Sequence, residues 1–308
     1  MNKEKMSKDN SVIAELKKSG FRAALIPFSC IEQIREIYES HVDNSEKTPV
    51  NIKERFLSNQ PPNITFEPAS FLVVAFQSPK GEIHFSYKDK EISIPIPPIY
   101  LDDSIDHRIK ETLSIATNGC QFSMVDGVSL KLLAVLSGLG KYGRNTLCYM
   151  DDFGSFCNFA AYYTDIPCED NIHEIAIMDI CKSCGLCRKN CPTGALSGEL
   201  KIDTSRCLTM WNEFDSPIPD WILPDVHHSM IGCMRCQEVC PVNKSVSMNK
   251  KEVLELSEVE IELLLTSAPK NLPVELVNRF IDYGLWMNFI NLAGRNLKLA
   301  VDAIINQV

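Results

Sequence analysis

The sequence predicts a mixed α+β fold, in which an N-terminal α/β sandwich-like domain precedes a cysteine-rich module and a helical C-terminal segment. Three observations predict it. Short helical and strand-like patterns alternate up to about residue 175, eight of the thirteen cysteines lie between residues 176 and 250, and the rest of the chain has a helical pattern. We therefore expect three consecutive parts, at 1–175, 176–250 and 251–308.

Helices in the first part are predicted from apolar spacing and from capping residues. They lie at residues 11–19, 31–41, 104–117 and 129–137. In the second of them Ile31, Ile34 and Ile37 recur at helical spacing. Asp103 or Ser104 is suited to cap the third, because both side chains accept hydrogen bonds from the first backbone N–H groups of a helix.

Strands are predicted from apolar runs and from the alternation of polar and apolar residues, which is typical of a strand with one buried face. They lie at residues 23–28, 70–77, 121–125, 146–150 and 155–164. Residues 82–95 alternate on both sides of a polar break at 88–90, which indicates a β-hairpin. Residues 43–63 are polar and contain three prolines, so we expect a long loop there.

The composition is that of an ordinary globular protein. Of the 308 residues 45% are hydrophobic, and the net charge of −9 gives the whole chain no electrostatic reason to bind nucleic acid or a membrane. The N-terminus has no apolar stretch for a signal peptide, and the longest apolar runs, such as 71–76, are too short to span a bilayer. We expect a cytoplasmic protein without membrane contact, whose thirteen cysteines indicate metal binding rather than disulfides.

The first cysteine run has the spacing of bacterial two-cluster ferredoxins. Cys181, Cys184, Cys187 and Cys191, followed by Pro192, form a C-x2-C-x2-C-x3-C-P pattern. In such runs three closely spaced cysteines hold one [4Fe–4S] cluster, and the fourth binds the other cluster. The pattern therefore predicts a ferredoxin-like module with two neighbouring clusters.

The second half of the module supplies the remaining ligands. Cys233, Cys236 and Cys240 keep the C-x2-C-x3-C-P ending, and Cys207 stands upstream in place of the missing first cysteine. The crossed pattern then gives each cluster four thiolates. Cluster one takes Cys181, Cys184, Cys187 and Cys240, and cluster two takes Cys191, Cys207, Cys233 and Cys236.

Two zinc sites are the alternative, because C-x2-C pairs also bind zinc. Zinc explains neither the third cysteine of the first run nor the two Cys-Pro endings, so we prefer two [4Fe–4S] clusters. The other five cysteines lack ligand spacing, and we interpret them as small buried hydrophobic residues. They are Cys30, Cys120, Cys148, Cys157 and Cys168.

A glycine-rich segment follows the predicted helix at 129–137. Gly138, Gly140 and Gly143 satisfy the pattern G-x-G-x-x-G. A dinucleotide fingerprint must follow a strand and open a helix, so that the helix N-terminus meets the pyrophosphate. Here the order is reversed, and we reject NAD binding. The backbone of the segment can line another ligand pocket, and Gly138 can also end the helix as a C-cap.

With this glycine segment and the cysteine module together, the chain resembles the epoxyqueuosine reductases, which are relatives of the reductive dehalogenases. The resemblance is closest over residues 120–250, and residues 1–119 match only in outline. It rests on the glycine segment 137–146, on the strand pair that ends at 163–167, and on the runs 191–196 and 232–241. These last two runs are more specific than ferredoxin spacing alone.

The resemblance implies a base-off cobalamin in the N-terminal domain, to which the two clusters pass electrons from a low-potential donor such as ferredoxin or flavodoxin. The expected reaction reduces an epoxide to an alkene in a modified tRNA nucleoside, as in queuosine biosynthesis. Such a reaction needs a general acid near the leaving oxygen. The residues that the resemblance places at the cobalamin are Gly138, Gly140, Lys141, Tyr142, Gly143, Arg144 and Asn145.

The sequence departs from the family pattern at two positions. The family's proton-donating aspartate falls on Met124, and Asp126 is a replacement only if the loop shifts its register. Asp126 can equally be a turn or N-cap residue ahead of the helix at 129. The family's lysine in the glycine segment appears here as Arg144, which keeps the charge and changes the hydrogen-bond geometry.

Three functions remain open at this point. They are an iron–sulfur, cobalamin-dependent reductase of the epoxyqueuosine type, a non-catalytic electron-transfer protein, and a cobalamin-dependent reductase of another compound. We favour an enzyme, because a plain electron carrier would not need so large an N-terminal domain. A tRNA substrate requires a local basic face, for which the candidates are Lys141, Arg144, Arg188, Lys189 and Lys201. We expect His227 and His228 at the surface of a proline-flanked loop.

Overall fold

The computed structural model describes residues 3–41, 64–98, 104–116, 119–247, 249–285 and 287–305. The chain divides into two compact units. Unit 1 comprises residues 1–76 and 104–182, and unit 2 comprises residues 77–103 and 183–308. The mixture of helices and strands confirms the predicted fold class. The three consecutive parts stay a prediction, and the expected loop at 43–63 and the candidate cap Asp103 lie outside the described residues.

The elements up to residue 164 include each predicted one, although the first helix begins eight residues earlier than predicted, and they add a two-residue strand at 141–142. They are α1 (Lys3–Lys18), β1 (Arg22–Pro27), α2 (Cys30–His41), β2 (Ser70–Gln77), β3 (Gly81–Tyr87), β4 (Lys90–Ile96), α3 (Ser104–Ala116), β5 (Phe122–Met124), α4 (Leu130–Leu136), β6 (Lys141–Tyr142), β7 (Cys148–Tyr149) and β8 (Cys157–Thr164). The strand predicted at 146–150 is shortened to the two residues of β7.

Unit 1 contains a four-stranded sheet with the order β1-β2-β8-β5. Strand β2 is buried on both faces, because successive side chains of a strand point to opposite sides. Phe71 and Val73 join one apolar cluster with buried residues of α2 and α4. Leu72 and Val74 join a second cluster with residues of α1 and α3. Unit 1 is therefore a helix–sheet–helix sandwich.

The elements after residue 182 are mostly helical and belong to unit 2. They are α5 (Leu186–Lys189), α6 (Leu208–Glu213), α7 (Arg235–Glu238), α8 (Pro241–Lys244), β9 (Leu254–Glu255), α9 (Glu258–Thr266), α10 (Val274–Asp282) and α11 (Met287–Ile305). In the described parts of the chain, no helix is long and apolar enough to span a membrane.

Unit 2 also contains the predicted hairpin, whose strands β3 and β4 pair in antiparallel register. Lys88 and Asp89 form its turn with positive φ angles of 51° and 59°, the conformation of a type I′ turn. Strand β9 adds to β3 in parallel at the start of the segment predicted to be helical. Strand β9 was not predicted, because its partner β3 lies far away along the chain and only two residues pair.

Candidate functional site

Two cysteines of the module lie at helix starts in unit 2. Cys207 is the N-cap residue of α6, and Cys240 is the N-cap residue of α8. Pro241 occupies the first turn of α8, where the missing proline N–H costs no hydrogen bond. The proline after the last cysteine therefore fixes the direction in which the chain leaves the module.

The four cysteines assigned to cluster two interact with one another. Burial raises the pKa of the Cys233 thiol, and the neighbouring Cys236, Cys207 and Cys191 raise it further. Burial also raises the pKa of Cys207, again with a smaller effect of Cys191. These mutual effects agree with the predicted assignment, because a [4Fe–4S] cluster requires four thiolate donors.

Backbone N–H groups already point at two of these sulfur atoms. Ala195 donates its N–H to Cys191 Sγ at 3.3 Å. Hydrogen bonds from Thr209 and Met210 lower the pKa of Cys207 against the effect of its burial. Such hydrogen bonds favour the ionised sulfur and tune the potential of a bound cluster. Among the described residues, no three His, Cys, Asp or Glu side chains are grouped so as to hold a single metal ion.

The cysteines outside the module lie in unit 1. Cys30 and Cys148 are buried in its apolar core, and burial raises the pKa of each thiol to about 12. Burial raises the pKa of Cys157 as well. Cys30 and Cys148 fit the prediction of small buried hydrophobic residues, whereas Cys120, Cys157 and Cys168 are half-buried.

The glycine segment follows α4 and leads into the β6–β7 hairpin, in the order that led us to reject a dinucleotide site. Gly138 has a φ of +78°. Its N–H donates to Val135 O, and the N–H of Leu139 donates to Ala134 O, both at 3.0 Å. This pair of bonds is a Schellman motif, so the interpretation of Gly138 as a helix C-cap is correct.

The glycines also allow close packing within unit 1. A Cβ atom on Gly140 would lie 2.5 Å from Cys148 Sγ and 2.8 Å from Tyr149 O. A Cβ atom on Gly143 would lie 2.4 Å from the Tyr149 ring. On the side where a Cβ would point, both glycines therefore meet the protein itself. A ligand has to approach this segment from another side.

The glycine segment is joined directly to the chain that precedes the module. Tyr142 N donates to Ala176 O at 3.3 Å, and Met178 N donates to Tyr142 O at 2.9 Å. Arg144 donates from Nη2 and Nε to Cys181 O, at 2.6 and 3.0 Å. A lysine has a single nitrogen and cannot make this two-pronged contact with one carbonyl. Arg144 therefore fixes the backbone of the first predicted cluster ligand.

Asn145 is the most buried polar residue of the segment. Its side chain is 3% exposed, and its Nδ2 donates to the Tyr149 hydroxyl at 3.0 Å. Its Oδ1 is buried without a hydrogen-bond partner. A buried amide oxygen without a partner costs free energy, so this atom is suited to accept a hydrogen bond from a bound ligand.

A model of the 4Fe-4S double cluster binding domain matches residues 180–243, which include all eight predicted cluster cysteines. Among curated proteins, the epoxyqueuosine reductase of Listeria monocytogenes is 34% identical over 135 residues, and that of Bacillus subtilis is 33% identical over 124 residues. The chain resembles the epoxyqueuosine reductases. The matched regions cover 43% and 40% of this chain and only 35% and 31% of these relatives, about a third of their length.

Solved structures of epoxyqueuosine reductases have the same fold along nearly the whole chain. The Bacillus subtilis enzyme, solved with its catalytic aspartate loop swung out of the active site, has a TM-score of 0.69 and 19% identity. An epoxyqueuosine reductase with a tRNA-Tyr epoxyqueuosine-modified stem loop has a TM-score of 0.67 and 18% identity. Each covers 98% of this chain and 83% of the other. The resemblance inferred from the sequence is confirmed.

Met124 stands where the resemblance predicts the family's aspartate. It ends β5, pairs with Tyr162 of β8 and is 45% exposed. Asp126, two residues later, is exposed, and its Oδ1 accepts a hydrogen bond from Gly127 N at 2.8 Å. Its charge also helps to raise the pKa of Tyr163, after the larger effect of burial. Ser129 caps α4, so Asp126 is a turn residue and its N-cap interpretation is wrong.

The histidine pair was expected at the surface, but His227 is buried and His228 is half-buried, so that prediction is wrong. His227 is 2% exposed, and both of its ring nitrogens are buried without a hydrogen-bond partner. His228 lies beside Cys233, because its Nε2 accepts the N–H of Met234 at 3.3 Å. The prolines around the pair indicated a loop, but apolar packing within unit 2 buries it.

The candidate basic residues differ in their surroundings. Arg144 is half-buried and bonded to carbonyl oxygens of the chain, so its guanidinium is already engaged. In unit 1, Lys141 is exposed and contributes to lowering the pKa of Asp179, after the larger effect of Lys182. The three candidates in unit 2, Arg188, Lys189 and Lys201, are all exposed.

Proposed function

We propose that the chain is an iron–sulfur reductase of the epoxyqueuosine reductase type, in which two [4Fe–4S] clusters supply electrons to a cobalamin held by unit 1. Spacing along the chain assigns Cys181, Cys184, Cys187 and Cys240 to cluster one. From their spacing we assign Cys191, Cys207, Cys233 and Cys236 to cluster two, and the mutual effects of these thiols on their pKa values support the assignment. A low-potential carrier such as ferredoxin or flavodoxin is the proposed donor.

The contact between the glycine segment and the first cluster ligand carries this proposal. Arg144 and Tyr142 hold the chain at 176–181 with four hydrogen bonds. A segment that binds a redox cofactor has to lie near the centre that reduces it, and within unit 1 these bonds tie the segment to Cys181, a predicted ligand of cluster one. A plain electron carrier would have no use for a ligand-binding segment at this place.

The residues present fit a cobalamin at the glycine segment. Asn145 Oδ1 is a buried acceptor without a partner beside Gly143, and a bound ligand would supply the hydrogen bond that it lacks. Asn145 and the backbone of residues 138–145 would hold the group. When bound, a cobalamin supplies a reducing metal centre for cleavage of a carbon–oxygen bond.

The exposed Met124 favours a second candidate, a reductase of the same construction that acts on another substrate. A thioether cannot donate a proton, so epoxide reduction would need Asp126 as the general acid. Asp126 is exposed on the turn after β5 and carries an ionisable carboxyl group. If the substrate is an epoxyqueuosine tRNA, as in the relatives, Arg188, Lys189 and Lys201 are the exposed cations of unit 2 proposed to contact its phosphates.

The test is an anaerobic reconstitution with iron, sulfide and hydroxocobalamin, followed by desalting and metal analysis. The proposal predicts about eight irons, the content of two four-iron clusters, and one retained cobalt per chain. Turnover is then measured by mass spectrometry on an epoxyqueuosine-modified tRNA stem loop, for wild type, Asp126→Asn, Met124→Asp and the control Asp151→Asn on an exposed turn.

Activity in wild type and the control that is lost in Asp126→Asn supports the epoxyqueuosine reaction with Asp126 as the acid. Activity that appears only in Met124→Asp supports the same cofactors and another natural substrate. Eight irons without retained cobalt would refute the reductase and leave an electron-transfer protein.

A further inference from the structure

Helix α11 contains two adjacent polar residues, Arg295 and Asn296, and Asn296 lies on a side of the helix that is otherwise apolar. Its buried stripe contains Ile290, Ala293, Leu297 and Ala300. Asn296 falls in the same stripe and is fully buried, at 0% exposure. Because an amide in an apolar stripe is unfavourable unless its hydrogen bonds are made, the partners of Asn296 show what it does.

Asn296 joins two segments of unit 2. Its Nδ2 donates to Asn212 O at 2.7 Å and to Met230 O at 2.8 Å. Asn212 lies in α6, which begins immediately after Cys207, and its own Nδ2 donates to Gly232 O at 2.7 Å. Gly232 is the residue before Cys233. The bonds therefore connect the helix that follows one cluster-two ligand with the residue that precedes another.

Arg295 donates hydrogen bonds to the C-terminal end of α6. Its Nη2 donates to Trp211 O at 2.7 Å, and its Nη1 donates to Ser216 O at 2.6 Å and to Phe214 O at 3.1 Å. The last carbonyl groups of a helix have no partner within the helix, and cations stabilise them. Its Nε donates to Asn296 Oδ1 at 3.0 Å, so the two side chains act as one group.

The side chains of Arg295 and Asn296 link Cys207 and Cys233 more directly than the long segment between them does. Residues 208–232 separate Cys207 from Cys233, and after α6 they contain only a short helical turn at Pro224–Val226. Without cross-links such a segment leaves the spacing of its ends loosely defined. The hydrogen bonds of Asn212 and Asn296 tie α6, which follows Cys207, to Gly232, which precedes Cys233. Helix α11 supplies Asn296 and so holds the two segments together.

We infer that Arg295 and Asn296 are positioning residues that set the geometry of the Cys207 and Cys233 thiolates for cluster two. This inference rests on the cluster-two assignment of the proposed function. Groups that orient metal ligands without touching the metal typically change metal affinity 10- to 100-fold when they are removed. We therefore expect that removal of these side chains weakens the binding of cluster two and leaves the binding of cluster one unchanged.

The experiment compares Asn296→Ala with wild type and with Asn291→Ala, in which the same substitution is made at an exposed asparagine of the same helix. Each protein is reconstituted anaerobically, and iron release to a chelator is followed in the visible spectrum. Midpoint potentials of both clusters are measured by titration with electron paramagnetic resonance detection. In Asn296→Ala we expect half of the iron to leave roughly 10- to 100-fold faster, with a shifted potential for that cluster only.

A second variant, Asn212→Ala, tests the same set of hydrogen bonds without a change in α11, so that the result does not depend on the folding of one variant. Asn212→Ala removes the bond to Gly232 and keeps the backbone oxygen that Asn296 uses, so it should show the same selective release. In a Cys207→Ser, Cys236→Ser background, which lacks cluster two, Asn296→Ala should no longer change iron release.

Three outcomes overturn the inference. They are release at the wild-type rate, acceleration of both clusters by the same factor, and acceleration that persists in the double-serine background. A wild-type protein that binds fewer than eight irons would instead refute the cluster assignment of the proposed function.

Discussion

Replacing His227 with leucine should remove a source of acid instability from unit 2. The imidazole is buried with neither ring nitrogen hydrogen-bonded, and burial, with smaller effects of His228 and Arg295, lowers its pKa from 6.5 to about 4. Between pH 6.5 and about 4, the His227 imidazole is therefore protonated in the unfolded chain and neutral in the folded chain. The stability of the folded protein is therefore complete above about pH 6.5 and falls as the pH drops toward 4.

The magnitude follows from the two pKa values. One pKa unit corresponds to about 1.4 kcal/mol, so the full difference is about 3 kcal/mol. Between pH 7.5 and 5.5 the same linkage gives a loss of about 1.3 kcal/mol, because only part of the interval is crossed. His227→Leu removes this loss, and at pH 7.5 it should be neutral or stabilising because two unsatisfied buried nitrogens disappear.

The assay is scanning calorimetry of the anaerobic, cluster-loaded protein at pH 7.5, 6.5 and 5.5. The wild type should lose roughly 2–4 °C in Tm more than His227→Leu over this range. His107→Leu, at an exposed position of α3, is the control and should follow the wild type. Equal losses of Tm in wild type and His227→Leu would refute the account of His227 as a buried neutral base.

Three further predictions concern packing, capping and the first cluster ligand. Gly140→Ala should cost about 3 kcal/mol in denaturant unfolding, because its Cβ would lie 2.8 Å from a backbone oxygen, whereas Gly119→Ala, with open space around it, should cost about 1 kcal/mol for its positive φ. Ser257→Ala should cost about 1 kcal/mol in the same measurement, because it removes the capping box of α9. Arg144→Lys should speed iron release from one cluster roughly tenfold in a chelator assay, because the two-pronged contact with Cys181 is lost.

The parts of the fold that could be predicted are those whose cause is local. The strand β2 is a continuous apolar run, and β3 and β4 alternate on both sides of a polar turn, so a short window of sequence is enough for each. The helix at 129–137 was bounded correctly, because Ser129 caps α4 and Gly138 ends it. The cysteine ligands could be proposed because their spacing along the chain is itself the geometric requirement of a cubane.

The parts that escaped prediction depend on distant residues. Strand β9 exists because Leu254 and Glu255 pair with β3, and no short window contains both partners. His227 was expected in solvent because it is polar and lies among prolines, yet packing within unit 2 buries it. The sequence does show that Asn296 interrupts the apolar stripe of a long helix. Its hydrogen-bond partners could not be predicted, because they are carbonyl groups more than sixty residues away along the chain.

The glycine segment shows why a pattern of residue types does not by itself identify a ligand. G-x-G-x-x-G suggests a phosphate site, yet here Gly138 ends a helix, and Gly140 and Gly143 make room for Cys148 and Tyr149. What points to a cofactor is instead the buried, unpartnered oxygen of Asn145 and the bonds that tie Arg144 to Cys181. In the proposed function these features serve cofactor binding and electron supply, whereas position 124 is where the resemblance predicts the proton donor. The methionine there should therefore change which substrate is reduced and leave electron delivery intact.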